Sequence, residues 1–170
     1  MDRVYLWEQA PEDEYQRQRL ALNAASGDVE AATALGYFYS LGLYDYPRDL
    51  KRGRRYFDEG MAKRYPQAYY VYALVLLETE PVDYHKALKF FERSANLGFG
   101  RGMAQVGNFF LEGKAVKKSY QLAEEWLVKS RCRDARAGLL FLAKHYEEEG
   151  KDLEKAKHLT NLAQSFKFNP

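Results

Sequence analysis

The sequence predicts an all-α solenoid of about four helix pairs, and two repeating features support this prediction. An eight-residue phrase occurs at 35–42 and again at 106–113: an apolar residue, Gly, two free positions, an aromatic residue, two free positions and Gly. Its apolar, small and aromatic positions lie three or four residues apart, so they share one helix face. Two further copies of the phrase are degenerate, and in all four units a small residue lies four positions ahead of the apolar residue. These small residues are spaced by 37, 34 and 36 residues and are Ala31, Ala68, Gly102 and Gly138. Such a period indicates stacked helix pairs, because one pair cannot bury its apolar face alone.

A second helix in each pair follows the same period. Its small residues are spaced by 34, 36 and 33 positions and are Gly53, Ala87, Ala123 and Ala156. Short polar residues ahead of them are predicted to cap these helices, namely Asp49, Asp83, Ser119 and Asp152. Gly36 and Gly107 lie inside the first helices, where Gly is costly, so we expect a neighbouring backbone to come close to them.

The predicted boundaries follow from these repeats. Residues 1–27 form an N-terminal segment and a capping helix; Tyr5 to Trp7 fold as a lid over that helix or fray. The helix runs from Glu14 to Ser26 and ends at Gly27, in a left-handed cap. The array covers 28–165, in units of about 28–65, 66–100, 101–134 and 135–165. In the 166–170 tail, Phe166 and Phe168 are expected to cover the end of the array.

Composition excludes several classes of protein. The 170 residues are 46% hydrophobic and 29% charged, which is a globular rather than a disordered composition, and the net charge of +2 is too small to indicate nucleic-acid binding. The longest apolar run, 69–77, is shorter than the about 20 residues that span a bilayer. Residues 1–11 do not read as a secretory signal, although a mature form whose signal has been removed stays open. We expect a soluble, cytoplasmic protein.

Potential catalytic and metal-binding residues do not form a recognisable site. The three histidines, His85, His145 and His158, have no second histidine at the three- or four-residue spacing of a zinc helix, although Glu149 follows His145 at such a spacing. Cys132 lies between two arginines and is interpreted as an unreactive loop thiol. The Gly run at 98–102 is a helix connection, and the basic run at 51–55 is a solvated helix face paired with acids one turn on. We therefore predict no catalytic residue, no metal and no cofactor.

The repeat phrases resemble a known family. The phrase at 35–42 is one half of the match, and the best second half consists of Lys86, Ala87, Phe90, Phe91, Ser94, Ala95 and Gly98. Together they are similar to the Sel1-like repeat, a relative of the tetratricopeptide repeat, over about 28–165. The fourth unit is eroded, as terminal repeats tend to be. The resemblance implies a right-handed solenoid whose first helices line a concave groove.

The resemblance also implies which side chains face that groove. These positions flank the packing anchors and differ between units, as a specific ligand would require. The predicted partner-binding residues are Glu30, Thr33, Tyr37, Gln67, Tyr70, Leu74, Arg101, Asn108 and Lys144. For Tyr70, Leu74 and Leu140, a place in the core is an equal alternative.

The expected function is non-catalytic binding of another protein. Sel1-like proteins include adaptors, bacterial scaffolds and small immunity proteins that neutralise a cognate toxin. A single array of this length favours an immunity protein that binds a toxin or effector over an adaptor or scaffold in a signalling or secretion-related complex. An enzyme or small-molecule receptor with Tyr37, Lys144 and Glu147 lining its groove is the alternative from another class. The oligomeric state stays open.

Overall fold

The computed structural model describes residues 5–148, 150 and 152–166. Over these residues the secondary structure is helical and contains no strand, which confirms the predicted all-α class. The α-helices are α1 Glu14–Ala25, α2 Val29–Leu41, α3 Leu50–Ala62, α4 Pro66–Glu78, α5 Tyr84–Asn96, α6 Gly100–Glu112, α7 Tyr120–Ser130, α8 Arg136–Glu148 and α9 Leu153–Ser165. Two short 3-10 helices, Leu6–Glu8 and Arg133–Ala135, precede α1 and α8.

The helices form two compact units, Arg3–Leu97 and Gly98–Pro170, called here the N-terminal and C-terminal units. In the N-terminal unit, α2 packs against α3 and α4 against α5, and α4 also packs on α2 and α3. In the C-terminal unit, α6 pairs with α7 and α8 with α9, and α8 packs on α7. The first helix of each pair (α2, α4, α6 and α8) is called an A helix, and the second (α3, α5, α7 and α9) a B helix.

The helices of the pairs are nearly equal in length, whereas the loops between them are not. Seven of these eight helices contain 13 residues, and α7 contains 11. A helix of 13 residues is roughly 20 Å long. The connection from α2 to α3 runs over residues 42–49, whereas the one from α3 to α4 takes only 63–65. Differences in repeat length therefore lie mainly in the loops.

The predicted N-caps of the B helices are confirmed. Asp49, Asp83 and Asp152 each accept a hydrogen bond from the backbone N–H three residues on, at 2.9 Å. Ser119 does the same for α7 at 3.3 Å. The caps satisfy N–H groups that have no partner inside the helix, so they fix where each B helix begins.

The glycines of the first pair lie at the contact between α2 and α3. A Cβ on Gly36 would lie 3.0 Å from the ring of Phe57, which is fully buried. The atoms nearest to that Cβ are thus side-chain atoms, but the expected close backbone approach is present at both glycines. A Cβ on Gly53 of α3 would lie 2.7 Å from the Gly36 carbonyl oxygen and would also overlap the Ser40 hydroxyl, and a Cβ on Gly107 would lie 3.1 Å from the Ala123 carbonyl oxygen.

The N-terminal segment is anchored rather than frayed. Trp7 is 3% exposed and stacks on Tyr5 at a ring-centroid distance of 4.3 Å. The 3-10 helix that carries Trp7 packs on α2, so the prediction of a lid over the first helix is corrected to a lid over the second. The predicted left-handed Gly27 after α1 is confirmed, with φ of 91°.

The other end of the chain agrees with the prediction as far as it is described. Phe166 is partly buried and packs on the core of the C-terminal unit, which includes Leu139, Leu142 and Leu159. Phe168, which was expected to join it, lies outside the described residues. The fourth pair, whose sequence is eroded, still forms a packed hairpin of α8 and α9.

Candidate functional site

Three of the predicted groove residues are buried, which corrects the groove assignment of Thr33 and Gln67 and favours the core alternative for Tyr70. Thr33 is fully buried, and its hydroxyl donates to the Val29 carbonyl oxygen at 2.7 Å. Tyr70 is 2% exposed, and its ring lies 5.6 Å from that of Phe91. Gln67 is 8% exposed. The cause is that α2 and α4 pack directly on each other and α4 packs on α5, which covers side chains that spacing alone assigns to a groove.

Two further predicted residues are held by contacts within the chain. The Glu30 carboxylate accepts a hydrogen bond from the Leu6 N–H at 3.2 Å and so anchors the N-terminal segment. Arg101 forms an ion pair with Asp134 at 2.8 Å, which ties α6 to the short helix before α8. These two residues therefore have structural roles that do not require a partner protein.

Lys144 is exposed and weakly held. Its ammonium lies 3.4 Å from Glu148, one turn further along α8, and the Lys144 side chain is 73% exposed. Exposed pairs of this kind contribute little to stability, so the lysine is accessible to a partner.

Tyr37 is half-buried on α2, and its hydroxyl is strongly perturbed. Burial raises the pKa of Tyr37 to about 12, with further contributions from the Glu78 carboxylate and from Tyr44. The phenol therefore stays neutral at physiological pH, where it acts as a hydrogen-bond donor rather than as a base. Leu74 on α4 is also half-buried, so neither of its two predicted places, core or groove, is excluded.

In the C-terminal unit, the two A helices border an open cleft of about 430 Å³. The cleft, called here the α6–α8 cleft, is lined by Asn108, Leu111, Glu112, Lys118, Ala137, Gly138 and Phe141. At the base of the cleft, α6 comes close to α8 at Gly138, which has no side chain. A Cβ there would lie 3.1 Å from both Asn108 Oδ1 and Leu111 Cδ1. Of the predicted groove residues, Asn108 is the one that lines this cleft.

The most exposed aromatic ring of the cleft is Phe141, which is 49% exposed. Its ring centroid lies 6.0 Å from that of Tyr120, which in turn lies 4.2 Å from His145. Sequence reasoning missed Phe141 because it lies outside the packing phrase of its helix. The sequence feature that could have identified it is a large aromatic residue that lies one turn after Ala137 and immediately before the buried packing position Leu142.

The remaining chemical candidates have structural explanations. Burial raises the pKa of Cys132, so the thiolate form is disfavoured, in line with an unreactive thiol. The basic run is paired only in part: Arg54 meets Asp58 at 2.7 Å, one turn on, whereas Lys51 forms no ion pair with a described residue. Among the described residues, no cluster of three or more His, Cys, Asp or Glu is placed to bind a metal. Nor does that part of the chain contain a helix that is both long and apolar enough to cross a bilayer.

The fold and this surface define a helix-pair repeat protein, and comparison with known sequences identifies its class. A model of the Sel1 repeat matches residues 29–60, 66–99 and 100–133, which make up more than half of the chain. The chain therefore belongs to the Sel1 repeat family. Sel1 repeats are generally non-catalytic modules of protein–protein interaction. No curated protein matches the sequence.

Two solved structures are similar to the fold. One is a Sel1 repeat protein from Oxalobacter formigenes, with 22% identity and a TM-score of 0.54 over 85% of this chain and 97% of that one. The other is c5321, a protective antigen present in uropathogenic Escherichia coli strains that displays an SLR fold, with 23% identity and a TM-score of 0.71. The second match covers 87% of this chain but only 32% of the antigen, so this chain spans about a third of that protein. At these identities the likeness concerns the fold.

Proposed function

We propose that this protein binds another protein through the surfaces of its A helices and catalyses no reaction. The observation that carries the proposal is the α6–α8 cleft, where Phe141 keeps about half of its surface in water. Aromatic side chains are enriched at protein interfaces because they bury a large area at a low entropy cost. The proposal is also supported by the usual role of Sel1 repeats in protein–protein interaction.

Equivalent positions on different A helices support the same function. Tyr37 on α2 and Asn108 on α6 each lie one residue after the Gly of the repeat phrase, and both are half-buried. The Gly before each of them is packed against the paired B helix, on Phe57 and Leu127 respectively. The packing position is thus constant while its neighbour differs in size and hydrogen-bonding chemistry, which suits a partner that is not itself repetitive.

The more specific form of the proposal is that the protein is a bacterial immunity protein, acting in the cytoplasm, that neutralises a toxin or effector. Its support is the known occurrence of this role among Sel1-like proteins. An adaptor would instead hold two partners at once. The two roles are separated by asking whether the protein alone suppresses the toxicity of one partner or is needed to join two others.

The decisive experiment is co-expression. Genes next to the one for this protein would be expressed singly in a bacterial host, with and without the wild-type chain, and growth would be compared. Restored growth, together with recovery of a stable complex on size exclusion, is the expected result for an immunity protein. A complex without growth rescue would favour the adaptor role. If no encoded neighbour and no host protein co-purifies with the chain in stoichiometric amount, the proposal of protein binding fails.

A further inference from the structure

We propose that the α6–α8 cleft binds an acidic segment of a partner protein that presents one apolar side chain, an inference that rests on the proposed protein-binding function. Three observations carry it. They are the apolar surface left exposed in the cleft, the charge of its rim, and an amide side chain at its centre that forms no hydrogen bond with a described residue.

The apolar surface provides the anchor. Phe141, with about half of its surface in water, stands next to the small residues Ala137 and Gly138, which leave space over the base of the cleft. The cleft volume of about 430 Å³ is several times that of one side chain, so it can accept an apolar residue together with the adjoining backbone. An aliphatic or aromatic side chain placed there would remove the ring of Phe141 from water, the usual source of affinity at such a contact.

The charge of the rim selects the partner. Lys118 lines the cleft and Lys117 precedes it in the loop between α6 and α7; both are exposed. Within the described residues neither forms an ion pair, whereas the acid of the cleft, Glu112, is already neutralised by Lys114 at 2.6 Å. The remaining charge is therefore positive, and a segment with carboxylates on either side of its apolar residue is complementary to it.

The centre of the cleft suits an extended backbone. Asn108 is half-buried, its Oδ1 stands over Gly138, and its amide has no hydrogen bond to any described residue. A side-chain amide offers both a donor and an acceptor, which is what the N–H and C=O of one peptide unit require. A protein segment satisfies this amide as well as the lysines and Phe141, whereas a nucleic acid would satisfy mainly the lysines.

The test uses the full chain and a short fluorescein-labelled peptide with one central Leu flanked by Ser and Glu residues, with binding followed by anisotropy at low salt. We expect saturable binding, weakened at least about tenfold by Lys118→Glu and also by Phe141→Ala. The matched controls are Lys51→Glu, an exposed lysine of the N-terminal unit with no ion pair to described residues, and Leu153→Ala, a 59% exposed apolar residue on α9. Both should change the affinity by less than about twofold. Higher salt should weaken binding, because it screens the lysines.

Several outcomes would overturn the inference. These are the absence of saturable binding up to about 1 mM, an equal loss in the Lys51→Glu control, equal binding of a peptide with Lys in place of Glu, or tighter binding of a labelled single-stranded oligothymidylate. Because Lys118 is exposed, its substitution tests the cleft even if Phe141→Ala lowers the melting temperature. Failure of this inference is distinguishable from failure of the proposed function. A co-purifying partner protein that is retained equally by Lys118→Glu and Phe141→Ala leaves protein binding intact and removes the cleft as its site.

Discussion

The contact between α2 and α3 gives the sharpest prediction, the substitution Gly53→Ala. In an unobstructed helix this change stabilises by about 0.5–1 kcal/mol, because Gly loses more backbone entropy on folding. Here the added Cβ would lie 2.7 Å from the Gly36 carbonyl oxygen and would overlap the Ser40 hydroxyl. Forcing an extra carbon into a packed core costs about 1–3 kcal/mol. The obstruction includes backbone, which cannot rotate away, so we expect a net loss of about 1–2 kcal/mol.

The assay is thermal unfolding followed by far-ultraviolet circular dichroism. For a chain of this size, about 1 kcal/mol shifts the melting temperature by roughly 2–4 °C, so Gly53→Ala should melt about 2–8 °C below the wild type. Lys51→Ala, at an exposed position two residues earlier in the same helix, is the control and should change stability by less than about 0.5 kcal/mol.

A double variant that combines Gly53→Ala with Ser40→Ala separates the two steric contacts of the added Cβ. Ser40→Ala removes the hydroxyl but leaves the Gly36 carbonyl in place, so it should restore only part of the stability lost in Gly53→Ala. An unchanged or raised melting temperature for Gly53→Ala would refute the steric argument. Full rescue by Ser40→Ala would show that the hydroxyl, and not the backbone approach, is the reason for glycine at this position.

Three other predictions concern a cap, a phenol and a thiol. Asp83→Ala should lower the free energy of unfolding by about 1 kcal/mol, because it removes the acceptor of the Lys86 N–H. Asp83→Asn should retain most of the stability, and equal losses for the two variants in urea titrations would contradict this. Because the pKa of Tyr37 is raised to about 12, its neutral form contributes stability that is lost as pH rises from about 10 to about 12. Tyr37→Phe should flatten that part of the profile of stability against pH, and an unchanged profile would contradict the assignment. Cys132, whose pKa is raised by burial, should react with an aromatic disulfide reagent much more slowly in the folded chain than in urea at mildly alkaline pH, and similar rates would disprove its protection.

The repeat register and the caps could be predicted from sequence because both depend on local chemistry. A carboxylate three residues before a backbone N–H meets it whatever surrounds the helix, so Asp49 and Asp152 were identified as caps without knowledge of the packing. Small residues at one period likewise mark where helices touch. Neither inference required the distance between any two helices.

The candidate site could be predicted only in part, because exposure depends on how closely neighbouring helices pack. Thr33 and Asn108 were assigned to the same groove by position, yet Thr33 is fully buried and Asn108 lines a cleft. Spacing gives the direction of a side chain but not whether another helix covers it. Phe141 was missed for a different reason: it lies outside the packing phrase of its helix, and the groove residues were predicted only by counting from the anchors of that phrase.

The equal lengths of the helices in the pairs have an evolutionary consequence. Within each unit, contacts between neighbouring hairpins involve segments of nearly fixed extent, while the differences in repeat length fall in the turns. Insertions and deletions in a turn therefore leave the stacked surfaces in register, and duplication of a whole hairpin supplies a new segment of matching size. Such a chain can acquire new specificity by changing turns and the residues beside its anchors, without redesign of its interior.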